Sequence, residues 1–133
     1  MTVRLPANYH PSDTEEFMNP MQVEYFRERL ETARADLHRE LDAVPRAESD
    51  EGSRQGDQAD HAGAGEEREF ELLNRERVRI LLRQTEQALV RLENGTFGYC
   101  ADTGEPIGLK RLIAQPATSL SLEAQLERER PAC

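Results

Sequence analysis

Two apolar stripes with helical spacing, divided by a glycine-rich polar break, constrain this chain more than any other feature. In the first, Val23, Phe26, Leu30, Ala33, Leu37, Leu41 and Val44 recur at steps of three or four, with Glu and Arg on the other face. Met18-Asn19-Pro20 supplies its start, since Asn caps well and Pro at the first helical position loses no hydrogen bond. Pro45 is expected to kink or interrupt this helix. In the second, Phe70, Leu73, Val78, Leu81, Thr85, Ala88 and Leu92 form the stripe, widened by Leu72, Ile80, Leu82 and Leu89. That helix is predicted from about Asp57–Glu66 to Glu93, closed by Asn94-Gly95 as its C-cap. Gly52, Gly56, Gly63 and Gly65 mark the break. Two helices of comparable length, each with one stripe, predict a mainly α fold built on a long antiparallel coiled-coil hairpin. At ~1.5 Å per residue, some thirty helical residues carry the tip, near 56–65, ~45–50 Å from the other end.

The rest of the chain is expected to form a small globular base. Residues 1–18, with Pro6 and Pro11, read as a lead-in that packs on or near the base, weakly held or frayed. The hairpin then takes 19–94 and the base 95–133, ending in an amphipathic helix from Leu122 to about Arg130. Residues 97–113 read as a turn-rich stretch with short apolar pairs, Ile107 with Leu109 and Leu112 with Ile113. Phe97, Tyr99, Ile107, Leu109, Leu112, Leu120, Leu122 and Leu126 are the candidate base core.

Composition narrows the function classes. Of 133 residues 37% are hydrophobic and 5% aromatic, with no Trp, against 32% charged, which suits long helices with wet faces better than a thick core. A net charge of -9 argues against a groove that follows phosphate backbone, so no direct DNA binding is expected. Two cysteines make neither a four-thiolate metal site nor a disulfide framework. The start lacks the apolar core of a signal peptide, no stretch approaches the roughly 20 apolar residues of a membrane span, and the terminal Cys133 is not a prenylation box. A cytoplasmic monomer without membrane contact is the expectation.

The acid is concentrated. Glu48–Glu69 holds eight acids and two bases, a net of -6, while the other 111 residues carry -3. One reading is a solvated loop with the usual acidic first turn of a helix. The other is an acidic tip presented on a rod to something basic or to a metal ion. Within it lies Asp57-Gln-Ala-Asp60-His-Ala62, where Asp57 suits an N-cap and Asp60 falls on nearly the same face. Catalysis by this pair is not expected: only His61 is near, and an exposed tip cannot exclude water.

Several segments together resemble the DksA/TraR family of bacterial RNA polymerase-binding transcription factors. They are Phe17-Met-Asn-Pro20, Asp57-x-x-Asp60-x-Ala62, Leu72-Leu-Asn74-Arg-Glu-Arg77, Phe97-Gly-Tyr-Cys100 and Ile107-Gly-Leu-Lys-Arg-Leu112 with Pro116. The resemblance covers about residues 15–130. It implies a non-enzymatic regulator that inserts its tip through the secondary channel of RNA polymerase and alters open-complex stability, lowering ribosomal RNA transcription, usually together with ppGpp. It also implies that Asp57, Asp60 and Ala62 meet the active-centre region, and that Asn74 and Arg77 contact polymerase along the rod.

Three departures from the family pattern carry their own implications. The family's zinc ribbon uses two Cys-x-x-Cys pairs, which here read Cys100-x-x-Thr103 and Ser121-x-x-Ala124. One soft ligand in four cannot hold tetrahedral zinc, so the base is expected to be a degenerate zinc ribbon without metal, as in the zinc-free paralogue type found in pseudomonads. The positions implied to contact ppGpp align with Gln84, Gln115 and Gln125, so a weakened ppGpp response is expected unless Arg83 or Lys110 compensates. Gly63 and Gly65 stand just after the tip, where better helix formers would order it.

Two other functions fit parts of the pattern. A coiled-coil interaction adapter would need stripe residues left exposed for a partner. A Gre-type transcript-cleavage factor also enters the secondary channel with an acidic hairpin tip, but the ribbon remnant and the Asp-x-x-Asp-x-Ala spacing favour the DksA type.

Overall fold

The computed structural model describes residues 4–43 and 61–131, the backbone alone for 61–64. Among the described residues four helices follow one another: α1 (Pro20–Ala43), α2 (His61–Asn94), α3 (Leu109–Ala114) and α4 (Leu122–Glu129). Asn19 caps α1 through its side-chain oxygen, which accepts from the N–H groups of Met21 at 2.9 Å and Gln22 at 3.1 Å. Pro45, expected to kink or interrupt α1, lies outside the described residues. At the far end of α2, Gly95 takes φ 80, its N–H reaches Leu92 O, and the Thr96 N–H reaches Arg91 O at 3.0 Å. This is a Schellman cap, which satisfies carbonyls the helix leaves open.

α1 and α2 pack on each other near the base, where Phe26, Leu30, Ala88, Leu92, Phe97, Leu109 and Leu112 form the core. The buried seam of α2 runs Val78, Leu82, Thr85, Ala88 and Leu92. The sequence reading placed Leu81 in that seam and Leu82 beside it; the structure reverses the two, with Leu81 half-buried. Phe70 and Leu73, also expected in the stripe, stand exposed. Farther along, the guanidinium of Arg77 lies 3.7 Å from Glu40, which marks the antiparallel register that the core packing fixes.

In the base, residues 98–107 form a knuckle. Ile107 N–H donates to Gly98 O at 2.8 Å, Cys100 N–H to Glu105 O at 2.7 Å and Gly104 N–H to Cys100 O at 2.8 Å, with one antiparallel bridge between Tyr99 and Pro106. Residues 109–114, expected to be turns, instead coil into α3, which drives Leu109 and Leu112 inward on one face. Arg111 then clasps the chain ahead of α4, donating to Leu120 O at 2.9 Å and to Gln125 Oε1 at 2.5 Å. α4 turns Ala124 inward, which leaves Leu122 and Leu126 more than half exposed and removes them from the expected base core.

The lead-in is held more firmly than its composition suggests. The side chain of Gln22 is fully buried beneath it. Its Oε1 accepts from Met18 N–H at 2.8 Å, and its Nε2 donates to Ser12 O and to Glu15 Oε1, both at 3.3 Å. Glu15 also accepts from the Tyr9 hydroxyl at 2.9 Å and the Ser12 N–H at 3.0 Å. These donors hold the Glu15 carboxyl below its ordinary range, the Ser12 N–H contributing most. Burial, then the hydrogen bond to Glu15, pushes the Tyr9 hydroxyl up to about 12. Met18 takes φ 57, a conformation uncommon for a side chain of its size, and there both it and Phe17 lie against Gly98. Phe17 meets Tyr99 edge-on with ring centres 5.5 Å apart.

Candidate functional site

Four groups of residues carry functional expectations, and the structure treats them differently. At the tip, Asp57 and Asp60 lie outside the described residues, as do the expected N-cap at Asp57 and most of the acidic run. The backbone of Ala62 lies in the first turn of α2 as described. At ~1.5 Å per residue, the 34 residues of α2 put that turn roughly 50 Å from Asn94, where the helix meets the base.

On the rod, Asn74 and Arg77 form one unit. The Asn74 side-chain oxygen accepts from Arg77 Nη2 at 3.1 Å, and the same guanidinium reaches across to Glu40 of α1. Arg77 is thus held by both helices while its side chain remains mostly exposed.

In the base, the four degenerate ligand positions converge. Cys100 is buried, with Thr103 and Ser121 as the neighbours whose N–H and hydroxyl groups favour its thiolate. Led by the Ser121 N–H, they bring the thiol down to about 6 against the opposing effect of desolvation. Ser121 also caps α4, its Oγ accepting from Ala124 N–H at 3.1 Å, and the Ala124 methyl is buried beside it. This set does not fit zinc. Ala124 has no donor atom, the two hydroxyls are spent on the sulfur and on a helix cap, and one thiolate remains. Among the described residues no three His, Cys, Asp or Glu side chains group as metal ligands. Across the knuckle, Arg128 pairs with Asp102 at 2.5 Å and 2.8 Å, holding that carboxyl below its ordinary range.

Gln84, Gln115 and Gln125 all line one open cleft of about 630 Å³ between α2, the segment after α3 and α4. Its cations are engaged: Arg91 donates to Thr118 O at 3.4 Å, and Arg128 is paired with Asp102. Burial lowers the pKa of Arg91. Gln125 is itself held between Arg111 and Glu129. The sequence reading named the three glutamines but missed the Arg111 clasp, whose only signal was a cation at i+2 from the start of an unrecognised helix.

A long helical hairpin rising from a metal-ribbon-like knuckle defines a rod carried on a small base. Comparison with known proteins specifies the class. The N-terminal domain of DnaK suppressor protein DksA matches residues 22–92, and the prokaryotic DksA/TraR C4-type zinc finger matches residues 95–130. The chain belongs to the DksA/TraR family. It is 42% identical to the RNA polymerase-binding transcription factor DksA of Caulobacter vibrioides, over 93% of this chain and 87% of that one. It is 37% identical to the factor of that name from Escherichia coli, over 88% of this chain and 78% of the other. Among solved structures it matches transcription factor DksA2 from Pseudomonas aeruginosa with a TM-score of 0.74 and 36% identity, covering 85% of this chain and 87% of that one. Among the described residues no helix is long and apolar enough to cross a membrane.

Proposed function

We propose that this protein is a transcription regulator that binds bacterial RNA polymerase, enters its secondary channel with the hairpin tip, and shifts open-complex stability at ribosomal promoters. The observation that carries the reading is the family match along both the rod and the base, in a chain whose α2 extends ~50 Å. Asp57, Asp60 and Ala62 then act at the enzyme's active-centre region, while Asn74 and Arg77 grip the channel along the rod. The protein works by contact and takes no chemical step of its own. It works in the cytoplasm and leaves promoter DNA to the polymerase.

The base does this without zinc, because packing of Phe97, Leu109 and Leu112 and the hydrogen bonds around Cys100 stand where metal ligation would. The glutamine-lined cleft gives ppGpp few free cations, so synergy with ppGpp is reduced. The decisive experiment is initiation from a ribosomal promoter by purified polymerase, with the wild-type protein and with Asp60→Asn. Inhibition by wild type that is lost in the variant supports the tip mechanism; inhibition that survives unchanged removes it. Stoichiometric zinc in purified protein, with unfolding by chelator, would overturn the metal-free reading.

A further inference from the structure

α4 is attached to the base by hydrogen bonds and charge, with little apolar contact. Of its eight residues only Ala124 is buried, while Leu122 is 56% exposed and Leu126 57%. Among the described residues no other helix packs along its length. Eight residues are too few to form a stable helix alone, so α4 stands or falls with its attachments. At its start they are dense. The Ser121 side chain caps the helix at 3.1 Å, the Ala101 N–H donates to Ser119 O at 2.8 Å, and Arg111 donates to Leu120 O at 2.9 Å. At the last turn the attachment is the Arg128 guanidinium, which reaches the two oxygens of Asp102 at 2.5 Å and 2.8 Å.

The two ends differ in strength. A guanidinium on both oxygens of one carboxylate fixes direction as well as distance, so this pair aims the whole helix. Its side chains are nevertheless 60% and 35% exposed, and water competes for both charges. Releasing α4 breaks that pair and the Arg111 bond to Gln125, and bares little more than the Ala124 methyl. The core beneath the knuckle loses nothing, because no residue of α4 belongs to it. The same helix walls the open cleft: Gln125, Arg128 and Glu129 line one side, with Gln84, Gln87 and Arg91 of α2 on another.

We infer that α4 is a hinged wall of the cleft, latched shut by the Asp102–Arg128 pair, which opens about residues 119–121 while the knuckle and hairpin stay folded. The hinge holds because Ser119 O and Leu120 O keep their donors when the helix lets go. Opening widens the cleft and frees Arg128 from its carboxylate. One ion pair thus governs both the width of the cleft and its charge.

Amide exchange of the full-length protein, followed residue by residue, tests the latch. The Leu126 and Arg128 N–H groups report on α4, Ile107 on the knuckle and Val78 on the hairpin. Asp102→Asn keeps the side chain's shape, removes its charge and lies outside α4, so the helix's own propensity and dipole are untouched. It should speed exchange of the α4 reporters by about threefold to tenfold, and leave Ile107 and Val78 within about twofold of wild type. Arg128→Asp, which opposes two carboxylates, should speed the α4 reporters further, and Asp102→Arg added to it should slow them again. Unchanged α4 exchange in Asp102→Asn and Arg128→Asp overturns the latch. Knuckle amides that speed up in step with α4 overturn the hinge, since the base then opens as one unit. A charge swap that exchanges as fast as Arg128→Asp alone shows that charge does not hold the wall, and that too removes the proposal.

Discussion

Replacing Gly98 with alanine is the most exacting test of how the base is assembled. Gly98 takes φ 92, where a Cβ is strained, and its carbonyl accepts the Ile107 N–H at 2.8 Å that closes the knuckle. A Cβ built there would lie 3.2 Å from Phe17 Cζ and 3.3 Å from both Cγ and Sδ of Met18. Left-handed geometry costs an alanine about 1–2 kcal/mol. Shifting Phe17 and Met18 adds about 1 kcal/mol, because both are anchored, Met18 by its N–H on Gln22 and Phe17 edge-on to Tyr99. Against this, alanine stiffens the unfolded chain and returns about 0.4–1 kcal/mol. The net expectation is a loss of about 2 kcal/mol, or about 6–10 °C in Tm for a domain of this size. Gly65→Ala is the matched control: it lies within α2 with nothing within 4 Å, so alanine there is expected to stabilise by about 0.5–1 kcal/mol. Urea unfolding of both variants, followed by circular dichroism, gives the two signs directly. Gly98→Ala melting at or above wild type would refute the cradle for the lead-in.

Gln22→Ala removes the acceptor of Met18 N–H and the donor to Glu15, so about 2–3 kcal/mol of stability is expected to go, with faster proteolysis before residue 18. The Cys100 thiol sits at about 6 in the folded protein against an ordinary 9.0, so the unfolded chain binds the extra proton between those values. Its contribution is therefore full above pH 9, shrinks as pH falls and is absent below about pH 6; the pH slope of unfolding stability across that window should flatten in Cys100→Ser. Arg77→Ala breaks an exposed 3.7 Å ion pair, so stability should change by less than about 1 kcal/mol while affinity for polymerase falls, which binding and melting measured together will separate.

The hairpin was legible because its signals are local. Asn19-Pro20 and Asn94-Gly95 set helix ends by their own backbone chemistry, and the structure uses both. Which stripe residues face inward was less legible: Leu81 and Leu82 are chemically alike, and only the register against α1 distinguishes them. The base was harder still. Six residues, Leu109–Ala114, are too few for periodicity to reveal a helix, and α3 exists because Leu109 and Leu112 find a core contributed by α1 and α2. Leu122 and Leu126 look like core from spacing alone, yet Ser121 fixes the start of α4 so that Ala124 turns inward. Of the site, the substituted ligand quartet could be read directly from residue types, whereas its mutual hydrogen bonding depends on the knuckle that brings residues 100–103 against Ser121.

That hydrogen bonding also explains why the lead-in matters. A structural zinc site supplies on the order of 10 kcal/mol to a small domain. Hydrogen bonds onto the Cys100 sulfur, at about 1 kcal/mol each, cannot replace it. The shortfall has to come from packing, and the base core is small: Phe97, Leu109 and Leu112 from the base itself, with Phe26 and Leu30 from α1 and Ala88 and Leu92 from α2. Phe17 and Met18 extend it from the side, and the Gln22–Glu15–Tyr9 network pins them there. In the proposed zinc-free base, the lead-in does part of what a metal would do, fixing the knuckle against the helices from outside. Phe17→Ala, at a half-buried ring, is expected to cost about 2–3 kcal/mol and to loosen the knuckle before the hairpin. Amide exchange can follow this residue by residue, through the Ile107 and Cys100 N–H groups for the knuckle and the α2 amides near Val78 for the rod. Equal protection of the knuckle amides in Phe17→Ala and wild type would mean that the base stands on its own core, and that the lead-in is a passenger.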